Sequence, residues 1–460
     1  MENLDSTVLA TSLPAIAVSF GSNPLRLNLA ITAYLISLAV FIPISGWMAD
    51  RFGARRIFSS AIAVFTIGSI ACALSDTLWE LVLSRILQGL GGAMMVPVGR
   101  LVLLRSVPKA DFVRAMSYLT VPALIGPILG PPLGGFLTTY ASWRWIFWIN
   151  VPIGVLGIML AQVFIDDLKE SNVPPLDLFG FVLAAVGLTG LVFGFEAIGR
   201  NILPAPIVAL LLAAGAAATA LYVRHARRAA HPVIRLSLLR YPTLRASIGG
   251  GFLFRVGVGA VPFLLPLMFQ MAFGLSAFQS GLLTFVAAIG AVTMKIAAAP
   301  ILRRFGFRSV LIGSALISGV FLAANGLFRP DTPHAIILAT LLLGGFVRSL
   351  QFTSVNIVGF ADIPRNEMSQ ATSLSGMAQQ LSLSIGVGTG AFILHLTAGA
   401  SGDARLSAAD FMPAFFAIGA IAMLAALIYR RLPGDAGQEV SGHKRALPIP
   451  PEASELRASE

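Results

Sequence analysis

Seven ionisable residues fall inside long apolar stretches of this chain: Asp5, Arg85, Arg100, Glu196, Arg255, Lys295 and Arg348. Charge inside a hydrocarbon layer is costly unless it is paired or hydrated, so such residues mark ion or substrate chemistry by default. Acids are scarce among them, which makes Asp5 the candidate proton carrier. Desolvation favours the neutral form of a carboxylate and a nearby cation favours its charged form. A carboxylate held between the two can load and release a proton as its exposure changes. Arg85 is the natural partner, because an arginine does not give up its own proton. A structural ion pair tying the first apolar stretch to the fourth is the alternative.

The second half of the chain offers cations instead. Arg255, Lys295 and Arg348 could attract anionic groups, although Arg255 and Lys295 could equally snorkel or pair. Arg348 shares its apolar stretch with Gln351 and Asn356; these three, with Gln88, Pro266, Gln270 and Gln379, form the candidate substrate cavity. Phe252, Phe254, Phe263 and Phe269 could line it or face lipid. Other chemistry is excluded. None of the lysines Lys109, Lys169, Lys295 and Lys444 follows a glycine, so no P-loop is present. The five histidines are scattered without a zinc-binding spacing, so no metal, cofactor or enzymatic activity is expected. Cys72 stands alone and cannot form an intramolecular disulfide.

The elements that position these residues are membrane spans. The chain is 56% hydrophobic and 12% charged, against about 25% charged residues in soluble domains. Apolar runs of about 20 residues, enough to cross a bilayer core of about 30 Å, recur along it. They predict spans near 4–20, 29–48, 57–75, 80–104, 115–139, 146–165, 178–196 and 203–222. Six more follow near 246–270, 277–298, 309–328, 334–358, 370–396 and 411–430, which makes an all-α polytopic membrane protein of about fourteen helices. The net charge of +11 sits mostly in one alternating set of short loops, which suits membrane orientation better than nucleic acid. That set, with both termini, is expected on the cytoplasmic side of the inner membrane.

Two loops share a core. GWMADRFGARRIF (46–58) and ILRRFGFRSVL (301–311) both contain Arg-Phe-Gly-x-Arg. If these elbows are equivalent, the chain divides into a six-helix bundle at 1–165, two inserted helices at 166–223, and a linker with a second six-helix bundle at 224–430. A disordered cytoplasmic tail at 431–460 is expected after them. Paired bundles around a midplane cavity are a secondary-transporter design. Gly46 would let a neighbouring helix approach, and Gly53 would allow the sharp turn. Asp50 at the end of its span needs a counter-charge or a helix N-terminus, so the knot is a candidate conformational latch as well as a topology signal.

These residues resemble the major facilitator superfamily, in its fourteen-helix drug:proton antiporter branch of the EmrB/QacA type. GWMADRFGARR resembles the family's loop signature, with Gly46, Asp50, Arg51, Gly53, Arg55 and Arg56 in position. RILQGLGGAMMVP, from Arg85, is similar to its fourth-helix motif. GPILGPPLGG resembles the fifth-helix antiporter motif and supplies Gly126, Pro127, Gly130, Pro131, Gly134 and Gly135. LDSTVLATSLP (4–14) and WRWIFWINVPIG (143–154) are similar to motifs of that branch. The resemblance implies a proton-coupled antiporter that exports small lipophilic organic compounds or drugs, with Asp5 and Arg85 carrying the coupling. A symporter, a dedicated metabolite exporter and a non-transporting receptor or docking subunit are the alternatives. Expected partners are substrate, protons and the lipid bilayer, with a periplasmic adaptor as a further candidate. The sequence departs from the pattern at Ala10, where the motif has Asn, and at Arg303, where an Asp would match Asp50. A first span of about 17 residues is at the short limit, so an upstream start or a truncated first helix is expected, the alternative being that Asp5 sits close to the cytoplasmic surface.

By their four-residue spacing, Gly126, Gly130 and Gly134 line one helix face, expected against a helix of the other bundle. Pro127, Pro131 and Pro132 remove backbone donors and would kink that helix into a seal against leak.

Overall fold

The computed structural model describes residues 2–106, 126, 129–166, 173–197, 203–364, 367–401 and 406–438. Pro127 and the expected tail beyond residue 438 lie outside them. The described residues are helical, with no strand among them. The first half comprises α1 (Glu2–Ser19), α2 (Asn28–Phe52), α3 (Ala54–Leu74), α4 (Leu78–Ser106), α5 (129–140), α6 (Trp145–Trp148) and α7 (Asn150–Phe164). A hairpin follows, α8 (Leu178–Ala197) and α9 (Ala205–Ala226). The rest is α10 (Pro242–Gly259), α11 (Val261–Leu267), α12 (Ala277–Ala324), α13 (His334–Val358), α14 (Met368–Ser401) and α15 (Ala408–Tyr429).

Among the described residues, 11 helical stretches are long and apolar enough to cross a bilayer, and Thr7–Ser19 is apolar but shorter. The count differs from fourteen for local reasons. Much of the expected span at 115–139 lies outside the described residues. Those at 277–298 and 309–328 are the two arms of the single 48-residue helix α12, broken only at Gly306. Gly306 has φ 70 and ψ 162, and Gly53, between α2 and α3, has φ 98 and ψ 133. Side chains rarely tolerate that backbone, so each elbow depends on its glycine. Arg308 adds a tie, donating to the Arg430 carbonyl just past the end of α15 (2.9 Å).

Without a hydrophobic drive between helices in lipid, small residues set how closely they approach. A methyl on Gly345 of α13 would lie 2.0 Å from the Ala287 carbonyl oxygen of α12, and one on Gly290 would lie 2.0 Å from that of Leu342. The seam between the first and last groups of helices is made by α1 on α11 and α12, and by α2 on α14. It is also made by α5 on α12, where a methyl on Gly281 would lie 2.3 Å from the Pro131 carbonyl oxygen. α8 leans on both α2 and α14, through Val192 with Ile36, Val40, Leu381 and Ile385.

Candidate functional site

Asp5 lies one turn into α1, where the preceding residues are helical but few, and its side chain is nevertheless buried (3% exposed). Arg85 reaches it from α4 and is also buried, at 1% exposed. The guanidinium Nη1 donates to Asp5 Oδ2 and to Gln88 Oε1, and Nε donates to the Ala30 carbonyl of α2 at 3.4 Å. The Tyr34 ring covers the guanidinium at 4.1 Å from its centroid, a stacking geometry that a delocalised cation favours. Gln88, one turn beyond Arg85, bridges the pair, because its Nε2 donates to Asp5 Oδ1 (2.9 Å). Asn150 closes the other side from α7, with Nδ2 donating to Asp5 Oδ1 (3.2 Å) and to Ser69 Oγ of α3 (3.1 Å). Ser69 in turn donates to the Phe147 carbonyl (2.9 Å).

This cluster is electrically closed. One carboxylate meets one guanidinium, and two neutral amides satisfy most of what remains. Protonating Asp5 would leave Arg85 without its counter-charge and would turn one Asp5 oxygen from acceptor into donor. The Gln88 and Asn150 amides would then have to reorient. A proton arriving here therefore changes the bonding between α1, α3, α4 and α7 together. Sequence reasoning places Gln88 in a substrate cavity, whereas the structure places it wholly inside this network (0% exposed). It also misses Asn150, Ser69 and Tyr34. The isolated amide in WRWIFWINVPIG was the available signal.

At the first elbow, Arg51 and Arg56 are exposed, while Asp50 and Arg55 are partly buried. Around Gly46 no described atom lies within 4 Å of where a Cβ would stand, so none of the described helices makes the expected close approach there. The elbow packs instead through Ala49, Ala54 and Ile57 onto Met94 and Val98 of α4.

In α5 the small-residue face meets a different neighbour from the one expected. A methyl on Gly130 would lie 1.9 Å from Thr7 Oγ1, and one on Gly134 would lie 2.5 Å from the Val8 carbonyl oxygen, both on α1. Thr7 Oγ1 also donates to the Gly126 carbonyl (3.2 Å). The contact with the second half belongs to the adjacent face, where a methyl on Gly135 would lie 2.4 Å from the Ala277 carbonyl oxygen.

Among the described residues, the remaining cavity candidates have different surroundings. Gln270 crosses the seam, its Nε2 donating to the Thr11 carbonyl of α1 (2.9 Å), and Pro266 is buried beside it in sequence. Gln351 is fully buried and accepts from Ser314. Asn356 Oδ1 accepts from Arg255 (2.9 Å), and Arg255 is 2% exposed. Gln379 is partly buried on α14. Phe254, Phe263 and Phe269 belong to the packed core. Lys295 is exposed and donates to Thr353 Oγ1 (2.7 Å). Arg348 lines a narrow cleft between α11, α12 and α13, with room for about one water (about 20 Å³). The side chains of Arg100 and Glu196 lie outside the described residues.

The fold has solved counterparts. A D-xylose-proton symporter superposes with a TM-score of 0.68 at 16% identity, covering 95% of this chain and 96% of that one. An auto-inhibited POT family peptide transporter gives 0.64 at 17% identity, covering 94% and 96%. At those identities the likeness concerns fold alone. Among curated proteins, the "Putative multidrug resistance protein MdtD" of Salmonella paratyphi A is 39% identical over 459 residues, covering 97% of this chain and 96% of the relative. The protein of that name from Salmonella typhimurium is 39% identical over 463 residues, with the same coverage. The family model of the Major Facilitator Superfamily matches residues 1–387 and again 247–458. With helices, elbows and sequence in agreement, this chain belongs to the Major Facilitator Superfamily.

Proposed function

We propose that the protein is a proton-coupled antiporter that exports small lipophilic organic compounds by alternating access. Transport, rather than catalysis, is what its family and its MdtD-named relatives support. Fourteen spans are inferred by counting the arms of α12 separately and adding α1 and the span that ends in α5. Two six-helix bundles flank the inserted hairpin, and the arginine-rich loops and both termini face the cytoplasm from the inner membrane. Substrate, protons and lipid are then the partners. Asp50 with the arginines of the first elbow acts as a latch on the cytoplasmic side, and the α5 motif seals the seam.

The observation that carries the proton role is the buried Asp5–Arg85 pair with its Gln88 and Asn150 bridges. A buried ion pair is weak evidence for stability, because desolvation offsets much of its attraction. Its placement at a junction of four helices is what a switch requires. The test is transport in proteoliposomes under an imposed pH gradient, with Asp5→Asn beside the wild type. The variant should lose accumulation driven by the gradient. Wild-type protein in weak buffer should release protons when substrate binds. Full gradient-driven transport by Asp5→Asn would overturn the proton role. Inverted and right-side-out vesicles separate export from symport.

A further inference from the structure

The inserted hairpin, α8 and α9, has no part in the Asp5 cluster, yet it is held to both halves by specific bonds. On the side of the first half, Trp47 of α2 donates through Nε1 to the Pro174 carbonyl (2.8 Å), in the segment that leads into α8. Phe41 of α2 also meets Phe181 of α8, with ring centroids 5.8 Å apart. On the side of the second half, the Tyr222 hydroxyl of α9 accepts from the Ile234 amide (2.9 Å) and donates to the Ile234 carbonyl (3.0 Å). This folds the chain beyond α9 back against the helix. Ile234 and Leu238 are buried there with Leu244 of α10, Ile363, and Ala371 and Leu374 of α14.

The two anchorages meet at Asp177 and His225. The imidazole Nε2 lies 2.8 Å from Asp177 Oδ1, which joins the start of α8 to the end of α9. Asp177 also caps α8, because the same oxygen accepts from the Gly180 amide (2.9 Å). The Phe179 ring stands edge-on to the imidazole at 5.3 Å. The Asp177 side chain is 11% exposed and that of His225 27%, so the contact is largely shielded from water.

A continuous chain of contacts therefore runs from Trp47, through Pro174, Asp177, His225 and Tyr222, to Ile234 and the second half. It spans the seam where α2 packs on α14. It does so near the first elbow, since Trp47 also packs on Phe52, with centroids 5.8 Å apart. Ties in series share one load, so breaking any of them frees the whole chain. Lipid-facing packing of a hairpin has no such property.

We propose that the inserted hairpin is a strap over the α2–α14 seam, limiting how far the elbow ends of the two halves move apart, with Asp177 and His225 as its fastening. The inference rests on the alternating-access reading in one respect, that the halves separate at this end.

The test measures elbow separation in the full-length protein. Phe52 and Phe305, one on each elbow, are 47% and 54% exposed, so cysteines there accept spin labels, while the native Cys72 is buried. Distance distributions are recorded in lipid nanodiscs at acid and at neutral pH. Trp47→Phe removes the indole N–H and keeps an aromatic ring. His225→Phe removes the ring nitrogens and keeps a ring against Phe179. Each should raise the ratio of long to short distances about fivefold, the scale of one net hydrogen bond. The double variant should stay within about twofold of either single one, because both break the same chain. Tyr222→Phe cuts the chain at its other end and should act alike, which keeps the test decisive where one variant does not fold. Thr219→Val removes a bond made only within α9, to the Gly215 carbonyl (2.8 Å), and should leave the ratio as in the wild type. Unchanged ratios in Trp47→Phe and Tyr222→Phe, beside a wild type whose distances shift with pH, would overturn the strap alone. So would multiplication of the two single effects in the double variant, or an equal shift in Thr219→Val. Elbow distances that change in no protein and at neither pH would overturn the strap together with alternating access.

Discussion

At the scale of single residues, the Asp5 cluster makes a prediction about coupling between charges. Removing one member of a buried pair costs about 3–5 kcal/mol, mostly because the other charge is left unpaired. Asp5→Asn should therefore lower the thermal unfolding midpoint, since Arg85 keeps only Gln88, the Ala30 carbonyl and the Tyr34 ring. The double variant Asp5→Asn with Arg85→Gln removes both charges and should recover at least half of that loss. Simple addition of the two single losses would show the charges to be uncoupled and would remove the switch argued above. The pairing of Asp5 with Arg85 was legible in the sequence because a membrane leaves an ionisable group few alternatives. Asn150 left only a weak trace, an isolated amide near a span end, and such an amide obeys no comparable rule. Its effect should nevertheless be large: Asn150→Leu removes a donor to Asp5 and orphans Ser69 on that side. We expect the pH dependence of transport to shift in this variant, and an unchanged pH profile would confine Asn150 to packing.

At the scale of elements, the spans were readable from length and apolarity, and the elbows from a repeated motif, but helix rotation was not. In a soluble helix the apolar stripe reports which face turns inward, whereas these helices are apolar all round and carry no such marker. The α5 glycines illustrate the consequence. Gly134 and Gly135 are neighbours in sequence, so their directions differ by about 100° around the helix. One meets α1 and the other meets Ala277 across the seam. The four-residue spacing gave a real face and assigned it to the wrong partner. The same blindness hid the separate contacts of Gln270, Gln351 and Asn356. The elbows are testable as elements. Gly306 has φ 70, while Gly313, two turns on in the same helix, has open space where a Cβ would stand. Gly306→Ala should destabilise by about 1–3 kcal/mol through strain. Gly313→Ala should be neutral or stabilise by about 0.5–1 kcal/mol, because alanine is the better helix former. Comparison of the two thermal midpoints checks this, and equal midpoints would mean that the elbow does not depend on its glycine.

At the scale of the whole molecule, one end of the seam is closed. There the Phe278 amide donates to Thr139 Oγ1 (3.2 Å), and the Phe278 ring packs edge-on to Phe136 and Tyr140, with centroids at 6.2 and 5.8 Å. Gln270 and Thr11 add a bond between the halves. On the orientation proposed above this is the outer end, and alternating access would then require these contacts to part once per cycle. Buried packed interfaces have discrete arrangements rather than continuous ones, so a covalent bond across this contact should hold one state. Cysteines at Thr139 and Phe278 should form a disulfide on mild oxidation, since a backbone nitrogen and a β-oxygen already touch there. The background is low because the native Cys72 is buried. Oxidation should abolish flux, reduction should restore it, and a saturating outside substrate should slow cross-linking by populating the open outer end. A cross-linked protein that transports at the uncross-linked rate would mean that the two halves do not rock apart at this end.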